Sequence, residues 1–342
     1  MYKVSGNVMY ITAENAYLNV KQEALQFCVD GIVKRTVPPH DVSQIIVLRP
    51  STTLSVYAMK FCAENQISVH YISEYGYYQG CFKGAFYGSN VLLRRAQYLM
   101  VNTTKATEYV RCELYGKFKN SIWYLKDMSY HSLYKDEIHD ILVQLRSFFI
   151  QLSEATSIAE MRGIEGIFST TYFSAFDYLI KSQKDDFSFD KRTRRPPENK
   201  FNALLSFFYT LLTTMMDSAL LCVGLDDECG FLHLFRAGRY SLACDLVEEF
   251  RFLVDKFVIK CVNLNKVKPS DFVENNGEIK LTKDGSKKMR QAWSDYLDEE
   301  KVVHGFHEKK MSLRVLFYEQ ARYLAKYVRG DIPEYPVYVM KG

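Results

Sequence analysis

The chain has 342 residues, a length that favours two domains over one. Apolar residues make up 48% of it, and the net charge of +4 excludes a surface that is basic throughout, so a nucleic-acid site must be a local patch. The sequence has no secretion signal, no apolar run of about 18 residues and no CxxC pair among its eight cysteines, which predicts a cytoplasmic protein without a membrane segment.

The first 87 residues have the short alternating pattern of β-strands. The stretch "NVMYITAENAYLNVKQEALQFCVDGIVKRTVP" is broken by the turn signals "EN" and "DG". "SQIIVL" (43–48) indicates a more buried strand, and "TTLSVYAMKFCAENQ" (52–66) a helix that follows a Ser/Thr cap. "ISVHYIS" and "GYYQGCF" are typical of a hairpin. We therefore predict a β-rich domain over residues 1–87.

From residue 88 the pattern is helical. The predicted helices cover residues 91–126, 133–157, 158–183, 201–222, 241–264 and 312–328. Polar loops over 182–200 and 266–289 interrupt them, and the second contains a predicted hairpin at "ENNGEIKL". The expected fold is α+β and multidomain, with the N-terminal β-rich domain followed by a larger all-α domain over residues 88–342.

An acidic segment stands out in "GFLHLFRAGRYSLACDLVEEFR" (230–251). On one helix capped by Ser241, Asp245 would lie about 60° from Glu248 and about 40° from Glu249. Acidic residues near a helix N-terminus gain from the helix dipole, which is one explanation. A bound cation is another, because unpaired charge among apolar residues is costly. His233, which precedes the helix, is also typical of a core histidine.

Glu165 is a second acidic residue in apolar surroundings, within "RGIEGIF". Its neighbours Gly163 and Gly166 each cost a helix about 1 kcal/mol relative to alanine, which indicates either close helix packing or a ligand that must approach. Carboxylates with one imidazole suit Mg²⁺ or Mn²⁺ better than a structural zinc site. Such ions usually serve phosphoryl chemistry.

A basic segment lies between these two acidic regions, in "KRTRRPPENK". Its five cations are Lys191, Arg192, Arg194, Arg195 and Lys200. A run of this kind is either a solvated loop or a set of phosphate contacts that positions a nucleic acid.

Together, these stretches resemble the CRISPR-associated adaptation integrases of the Cas-one family. The similarity is carried by "RGIEGIFSTTYF", "RRPPENKFNALLSFFYTLL" and "VGLDDECGFLHLFRAGRYSLACDLVEEFR", and extends to "LRRAQY" and "LFYEQARYLAKYVRG". It implies metal ligands at Glu165, His233 and Glu248, with Asp245 as a further acidic residue close to the metal. Some relatives have Asp at position 248. Glu249 matches no ligand, and we expect it on the helix surface.

The resemblance also implies an activity. Such an enzyme inserts foreign DNA fragments, the spacers, into a CRISPR array, when a 3′-OH attacks a phosphodiester at the repeat border. It implies Mg²⁺ or Mn²⁺ as cofactor, double-stranded DNA as substrate, and a homodimer that assembles with a small ferredoxin-like partner of the Cas-two family. Two alternatives remain open: a stand-alone metal-dependent nuclease, and a non-catalytic DNA-binding assembly protein.

Two further expectations concern assembly and stability. The aromatic residues Tyr71, Tyr75, Tyr77 and Tyr78 are too many to bury in a small β domain, which predicts that the N-terminal domain forms the dimer. Alanine at any of the three metal ligands should leave the fold intact, because it relieves repulsion between like charges.

Overall fold

The computed structural model describes residues 2–5, 8–73, 78–84, 90–130, 132–194, 196–275, 278–303 and 309–340. Its N-terminal strands are β1 (Tyr2–Ser5), β2 (Val8–Ile11), β3 (Ala16–Lys21), β4 (Ala24–Val29), β5 (Ile32–Val37), β6 (Gln44–Val47), β7 (Thr53–Leu54), β8 (Ser68–Ile72) and β9 (Tyr78–Phe82). Helix α1 (Val56–Glu64) lies between β7 and β8.

These strands form two sheets. One has the order β1-β2-β6-β8-β9, with β2, β6 and β8 parallel and an antiparallel strand at each edge. The other has the order β5-β4-β3-β7. The predicted strand at 43–48, the helix within 52–66 and the β8–β9 hairpin are confirmed. Ser55 caps α1 by accepting a hydrogen bond from the Ala58 backbone N–H.

The central strands β2, β6 and β8 of the five-stranded sheet are buried on both faces. Because successive side chains of a strand point to opposite faces, Tyr10 and Ile46 pack against the helical region. Their neighbours Met9 and Ile45 pack against the N-terminal region's own core. The Tyr10 hydroxyl also donates a buried hydrogen bond of 2.8 Å to Glu319 Oε1 in the helical region. The predicted boundary after residue 87 lies outside the described residues.

The rest of the chain is rich in helices. They are α2 (Val91–Met100), α3 (Thr104–Ser129), α4 (Lys135–Glu154), α5 (Ile158–Phe173), α6 (Phe176–Leu179), α7 (Lys184–Phe187), α8 (Lys200–Val223), α9 (Ser241–Val247), α10 (Arg251–Asn263), α11 (Lys283–Asp298) and α12 (Leu313–Arg329). Two hairpins accompany them: β10 (Phe272–Asn275) with β11 (Glu278–Leu281), and β12 (Glu300–Val303) with β13 (Lys309–Ser312). The hairpin predicted at "ENNGEIKL" is confirmed.

Helix α11 begins inside the segment that was predicted to be a polar loop. Thr282 caps it by accepting a hydrogen bond from the Gly285 N–H, and only a narrow apolar stripe that includes Met289 and Trp293 is buried. Most residues of α11 are polar, so apolar periodicity along the sequence does not indicate this stripe.

Helix α8 is long and apolar enough, by length and composition, to cross a membrane. However, 67% of that stretch is buried inside the protein, which identifies α8 as a helix of the core. Its neighbours include α9, α10 and α12. The Gly224 backbone ends the helix at φ +86°, a conformation that favours glycine.

Candidate active site

The acidic segment is not one continuous helix as predicted. A 3-10 turn over Glu248–Phe250 separates α9 from α10. Ser241 is the first residue of α9 and not its cap; its hydroxyl donates to the Leu234 carbonyl at 3.1 Å. The three carboxylates, Asp245, Glu248 and Glu249, reach three different sets of partners.

Asp245 is fully buried and organises the loop that precedes α9. Its carboxylate accepts hydrogen bonds from the backbone N–H groups of Phe231, Leu232 and His233, at 2.5, 3.0 and 2.9 Å. It also lies 2.7 Å from His233 Nδ1, which donates to it. A carboxylate on Nδ1 fixes the tautomer and leaves the Nε2 lone pair available as a metal ligand. Asp245 therefore acts as a positioning residue for His233.

Glu165 and Glu248 come together on Lys117, a residue that the sequence analysis missed. Lys117 Nζ on α3 contacts Glu165 Oε1 on α5, donates to Ser169 Oγ at 2.9 Å, and lies 2.7 Å from Glu248 Oε2. Ser169 in turn donates to Glu165 Oε1 at 2.7 Å. One buried ammonium thus connects two carboxylates from distant parts of the sequence.

Glu248 has a second cationic partner. Arg251 Nε donates to Glu248 Oε1 at 2.8 Å, and the guanidinium lies over the Tyr209 ring at 4.9 Å from its centroid. Burial raises the pKa of Glu248, but Arg251 and Lys117 outweigh burial and lower the pKa to about 2. Burial likewise opposes ionisation of Glu165, and Lys117 again outweighs it, so that its pKa is lowered. Both carboxylates are therefore ionised at neutral pH.

The glycines beside Glu165 do not serve close packing. Among the described residues, a Cβ built at Gly163 or Gly166 would meet nothing within 4 Å. Gly166 instead lines a cavity of about 560 Å³ together with Glu165 and Ser169. The basic segment closes the other side of this cavity through Lys191, Arg192 and Arg194. The space allows a ligand to reach the Glu165 carboxylate.

Within the basic segment, Arg192 makes contacts inside the protein. Its guanidinium donates to Asn202 Oδ1 at 2.9 Å and to Ser206 Oγ at 3.0 Å, and lies over the Tyr209 ring. Burial lowers the pKa of this guanidinium to about 10. Arg192 thus fixes the segment onto α8.

The other cations of the basic segment differ in exposure. Lys191 and Arg194 are exposed, whereas Lys200 pairs with Asp186 at 2.6 Å. Arg195 lies outside the described residues. Lys191 and Arg194 are therefore the described cations of this segment that combine solvent exposure with a place in the cavity wall.

The expectation that Glu249 lies on the helix surface is wrong. Glu249 is fully buried; its carboxyl accepts hydrogen bonds from the Tyr335 hydroxyl at 2.6 Å and the Tyr338 backbone N–H at 2.7 Å. Burial raises the pKa of Glu249 to about 8. The segment that covers it, residues 331–340, lies more than 80 positions later in the chain, and spacing along one helix carries no information about it.

A sequence signal for Lys117 exists in hindsight. Buried polar residues occur on α3 at Glu113, Lys117, Asn120 and Ser121, which is one face of the helix. A polar stripe on a face that is buried among apolar residues indicates a buried charged cluster.

The carboxylate and imidazole groups of the site are of the types that bind a hard divalent cation, although a cationic side chain lies between the carboxylates. In the described part of the chain, no three carboxylate, imidazole or thiol groups converge closely enough to hold an ion as they stand. Lys117 instead lies where Glu165 and Glu248 meet. Two ionised carboxylates and one oriented imidazole are the ligand types that suit Mg²⁺ or Mn²⁺.

Comparison with known proteins gives consistent matches. The family model for CRISPR associated protein Cas1 matches residues 9–295. The CRISPR-associated endonuclease Cas1 1 of Chlorobaculum tepidum is 34% identical over 341 residues, which cover 98% of each chain.

Two solved structures share the fold. A chain of a partial Cas6-RT-Cas1–Cas2 complex has a TM-score of 0.79 at 19% identity and covers 98% of this chain and 99% of its own. A casposase bound to integration product has a TM-score of 0.72 at 20% identity, over 97% and 98% of the two chains. Because the family model and the relative from Chlorobaculum tepidum both span most of the sequence, the chain belongs to the Cas1 family of CRISPR-associated endonucleases.

Proposed function

We propose that the chain is a metal-dependent DNA endonuclease and integrase that inserts spacers into a CRISPR array. The observation that carries this proposal is the convergence of Glu165 and Glu248 on one cation, beside a histidine that Asp245 orients. In its protonated form His233 would also lower the pKa of Glu248, after Arg251 and Lys117, which supports the proximity of the imidazole to this carboxylate.

In the proposed site, Glu165, Glu248 and His233 Nε2 would hold Mg²⁺ or Mn²⁺. When bound, the ion would stabilise charge on the scissile phosphate and help activate the attacking oxygen. Asp245 keeps the imidazole in the tautomer that presents Nε2. Arg251 holds Glu248 Oε1 and fixes the orientation of that carboxylate.

The proposed reaction is attack by a free DNA 3′-OH on a phosphodiester at the repeat border. The cavity beside Glu165 supports this, because the exposed cations Lys191 and Arg194 line it and would contact DNA phosphates. The shared fold with a casposase bound to integration product supports strand transfer over hydrolysis alone. Removing the Arg194 charge should weaken DNA binding and reduce its salt slope by about one phosphate contact.

We also propose a homodimer and a small ferredoxin-like partner of the Cas2 family, acting on double-stranded DNA in the cytoplasm. The shared fold with a chain of a Cas1–Cas2 complex supports the partner. In the N-terminal region, Ile32 and Tyr57 are each 60% exposed and support a contact surface for a second copy. Tyr71 and Tyr78 are half-buried, and Tyr75 and Tyr77 lie outside the described residues.

The test is a strand-transfer assay with a 3′-OH donor, a repeat-bearing plasmid, the Cas2-type partner and Mn²⁺. Glu165→Gln, His233→Ala and Glu248→Gln should each abolish transfer. Glu108, an exposed glutamate on α3, is the control, and Glu108→Ala should transfer normally. Wild-type activity in Glu165→Gln or His233→Ala would contradict the proposal.

The same assay separates the alternatives. Hydrolysis without transfer by the wild type would favour a stand-alone nuclease. DNA binding with neither reaction, and with no effect of Mn²⁺ on the melting temperature, would favour a non-catalytic assembly protein, because a ligand that binds the native state must stabilise it.

A further inference from the structure

Both oxygens of the Glu248 carboxylate already have cationic partners. Oε1 accepts a hydrogen bond from Arg251, and Oε2 lies 2.7 Å from the Lys117 ammonium. A divalent cation that binds both Glu165 and Glu248 would take the place of the Lys117 ammonium, which lies between Glu165 Oε1 and Glu248 Oε2.

Lys117 is the partner that can leave more easily. Arg251 is held at a second place by its stacking on Tyr209. Lys117 carries a compact charge on a flexible four-carbon stem, and its hydrogen bonds go to Glu165 and Ser169. Its contact with Glu248 Oε2, at 2.7 Å, is to a carboxylate that Arg251 also holds.

A second place for the ammonium exists one helical turn away. Glu113 precedes Lys117 by four residues on α3, a spacing that makes the two side chains neighbours and favours a Glu–Lys pair. Glu113 is fully buried, and neither of its carboxyl oxygens has a hydrogen-bond partner among the described residues. A buried carboxyl without a partner is costly and normally has an explanation.

We propose that Lys117 is a two-position lysine, which joins Glu165 to Glu248 when no metal is bound and turns to Glu113 when a divalent cation takes its place. This inference rests on the proposed metal site. In the first position the ammonium holds the two carboxylates together and prevents their repulsion. In the second position it gives Glu113 a partner and frees Glu248 Oε2 and Glu165 Oε1 for the ion.

The test measures Mn²⁺ affinity directly, by the electron paramagnetic resonance signal of free Mn²⁺ in titrations of the purified protein. Lys117→Met should bind Mn²⁺ about tenfold more tightly than the wild type, because no ammonium competes. Lys119→Met, an exposed lysine on the same helix, is the matched control and should bind as the wild type does.

Glu113 supplies the second arm of the test. Glu113→Gln should weaken Mn²⁺ binding, because the displaced ammonium loses its alternative partner. In the Lys117→Met background the same substitution should have no effect, so the double variant should match Lys117→Met alone. A general electrostatic effect of Glu113 would weaken binding equally in both backgrounds, and that result would overturn the two-position arrangement.

Glu165→Gln distinguishes failure of this inference from failure of the proposed function. If Glu165→Gln binds Mn²⁺ as well as the wild type, the proposed metal site itself is wrong. If Glu165→Gln loses binding but Lys117→Met binds no tighter than the wild type, only the role of Lys117 is wrong. Lys117→Gln is the second variant, since it keeps a hydrogen-bond donor without the charge.

The folding of these variants is also informative. Without metal, Lys117→Met should melt at a lower temperature than the wild type, and millimolar Mn²⁺ should raise its melting temperature more. If Lys117→Met and Lys117→Gln are both unfolded and Mn²⁺ does not restore their circular dichroism, the ion does not replace the ammonium and the proposal fails.

Discussion

Two clusters of side chains, each built around a buried carboxyl group, lie next to each other. The carboxyl groups of the two clusters differ in charge. The cationic cluster consists of Lys117, Glu165, Glu248 and Arg251. The tyrosine cluster consists of Glu249, Gln320, Tyr335 and Tyr338. Glu248 and Glu249 are adjacent in sequence and both are buried, yet the pKa is lowered to about 2 in the first and raised to about 8 in the second.

The difference shows that partners, and not burial, decide whether an acid in this core is charged. Two cations hold Glu248 ionised. The described donors to the Glu249 carboxyl are instead neutral: the Gln320 amide on α12, and the Tyr335 hydroxyl and Tyr338 backbone N–H of the C-terminal segment. A carboxylate that is to bind a metal must be ionised, and a neutral buried carboxyl is suited to holding structure together. Of the two neighbouring residues, Glu248 is therefore ionised, as the proposed metal site requires, and Glu249 is neutral.

The largest expected effect is that of Glu248→Ala on stability. It leaves Lys117 with Glu165 alone and leaves Arg251 without its carboxylate, and removing one member of a buried pair typically costs about 3–5 kcal/mol. This reverses the expectation from sequence that alanine relieves repulsion, because Glu248 lies between two cations. Urea unfolding at neutral pH measures the free energy of unfolding.

The control also removes the positive charge that the first substitution leaves unpaired. Adding Arg251→Met to Glu248→Ala should recover part of the lost stability, because the half-buried guanidinium is then absent. If Glu248→Ala is as stable as the wild type, water solvates the two cations in the variant. That result would contradict the contrast between the two clusters.

The second expected effect is a pH dependence of the free energy of unfolding, caused by the titration of Glu249. Its pKa rises from 4.5 to about 8 on folding, so the folded state binds the extra proton and the stabilisation is complete below about pH 4.5. That stabilisation is lost as the pH rises through about 8. Glu249→Gln lacks this titration, so the wild type should lose up to a few kcal/mol relative to it between pH 5 and 9.

Urea unfolding of both proteins across that range gives the measurement. The difference between the two free energies of unfolding should change steadily and favour Glu249→Gln at the alkaline end. Parallel curves would show that Glu249 is already ionised in the folded protein, and that its environment resembles that of Glu248.

Sequence reasoning found the elements that depend on local pattern. Strand β6 follows from a short apolar run and helix α1 from the Ser55 cap, and the sequence predicts both. The expected metal ligands Glu165, His233 and Glu248 came from resemblance, because spacing alone left the helix dipole open as an explanation for the acids. The helix angle between Asp245 and Glu249 was no guide to their partners, because these come from the loop before α9 for Asp245 and from the C-terminal segment for Glu249.

What the sequence could not supply is the identity of distant partners. Lys117 lies 48 positions before Glu165, and Tyr335 lies 86 positions after Glu249. Whether a buried acid is charged depends on these partners, and no periodicity within one helix reports them. The stripe of buried polar residues on α3 is a signal that a cluster exists, but it does not say which acid meets which cation.

The third effect tests the packing of the C-terminal segment over the tyrosine cluster. A Cβ added at Gly116 on α3 would lie 2.2 Å from Val337 Cγ2, so Gly116→Ala must displace the segment. We expect a loss of about 1–3 kcal/mol in urea unfolding and faster proteolysis of residues 331–340. Gly163→Ala is the matched control; nothing described lies within 4 Å of its Cβ, and alanine should add up to about 1 kcal/mol. Equal stability of the two variants would contradict close packing of the segment on α3.

The smallest effect concerns an ion pair of similar geometry in a wetter place. Lys200 Nζ lies 2.6 Å from Asp186 Oδ1, and Lys117 Nζ lies 2.7 Å from Glu248 Oε2. The side chains of the first pair are 28% and 44% exposed, and those of the second are 6% and 2% exposed. Water already solvates the first pair, so Lys200→Met should change the free energy of unfolding by less than about 1 kcal/mol. Its ammonium also lies in the first turn of α8, where the helix dipole disfavours positive charge, and this reduces the loss further.

Urea unfolding could instead show that Lys200→Met loses as much stability as Glu248→Ala. In that case the distance between the charges, and not their burial, would govern the energy of an ion pair. The cationic cluster would then not differ from an ordinary surface pair.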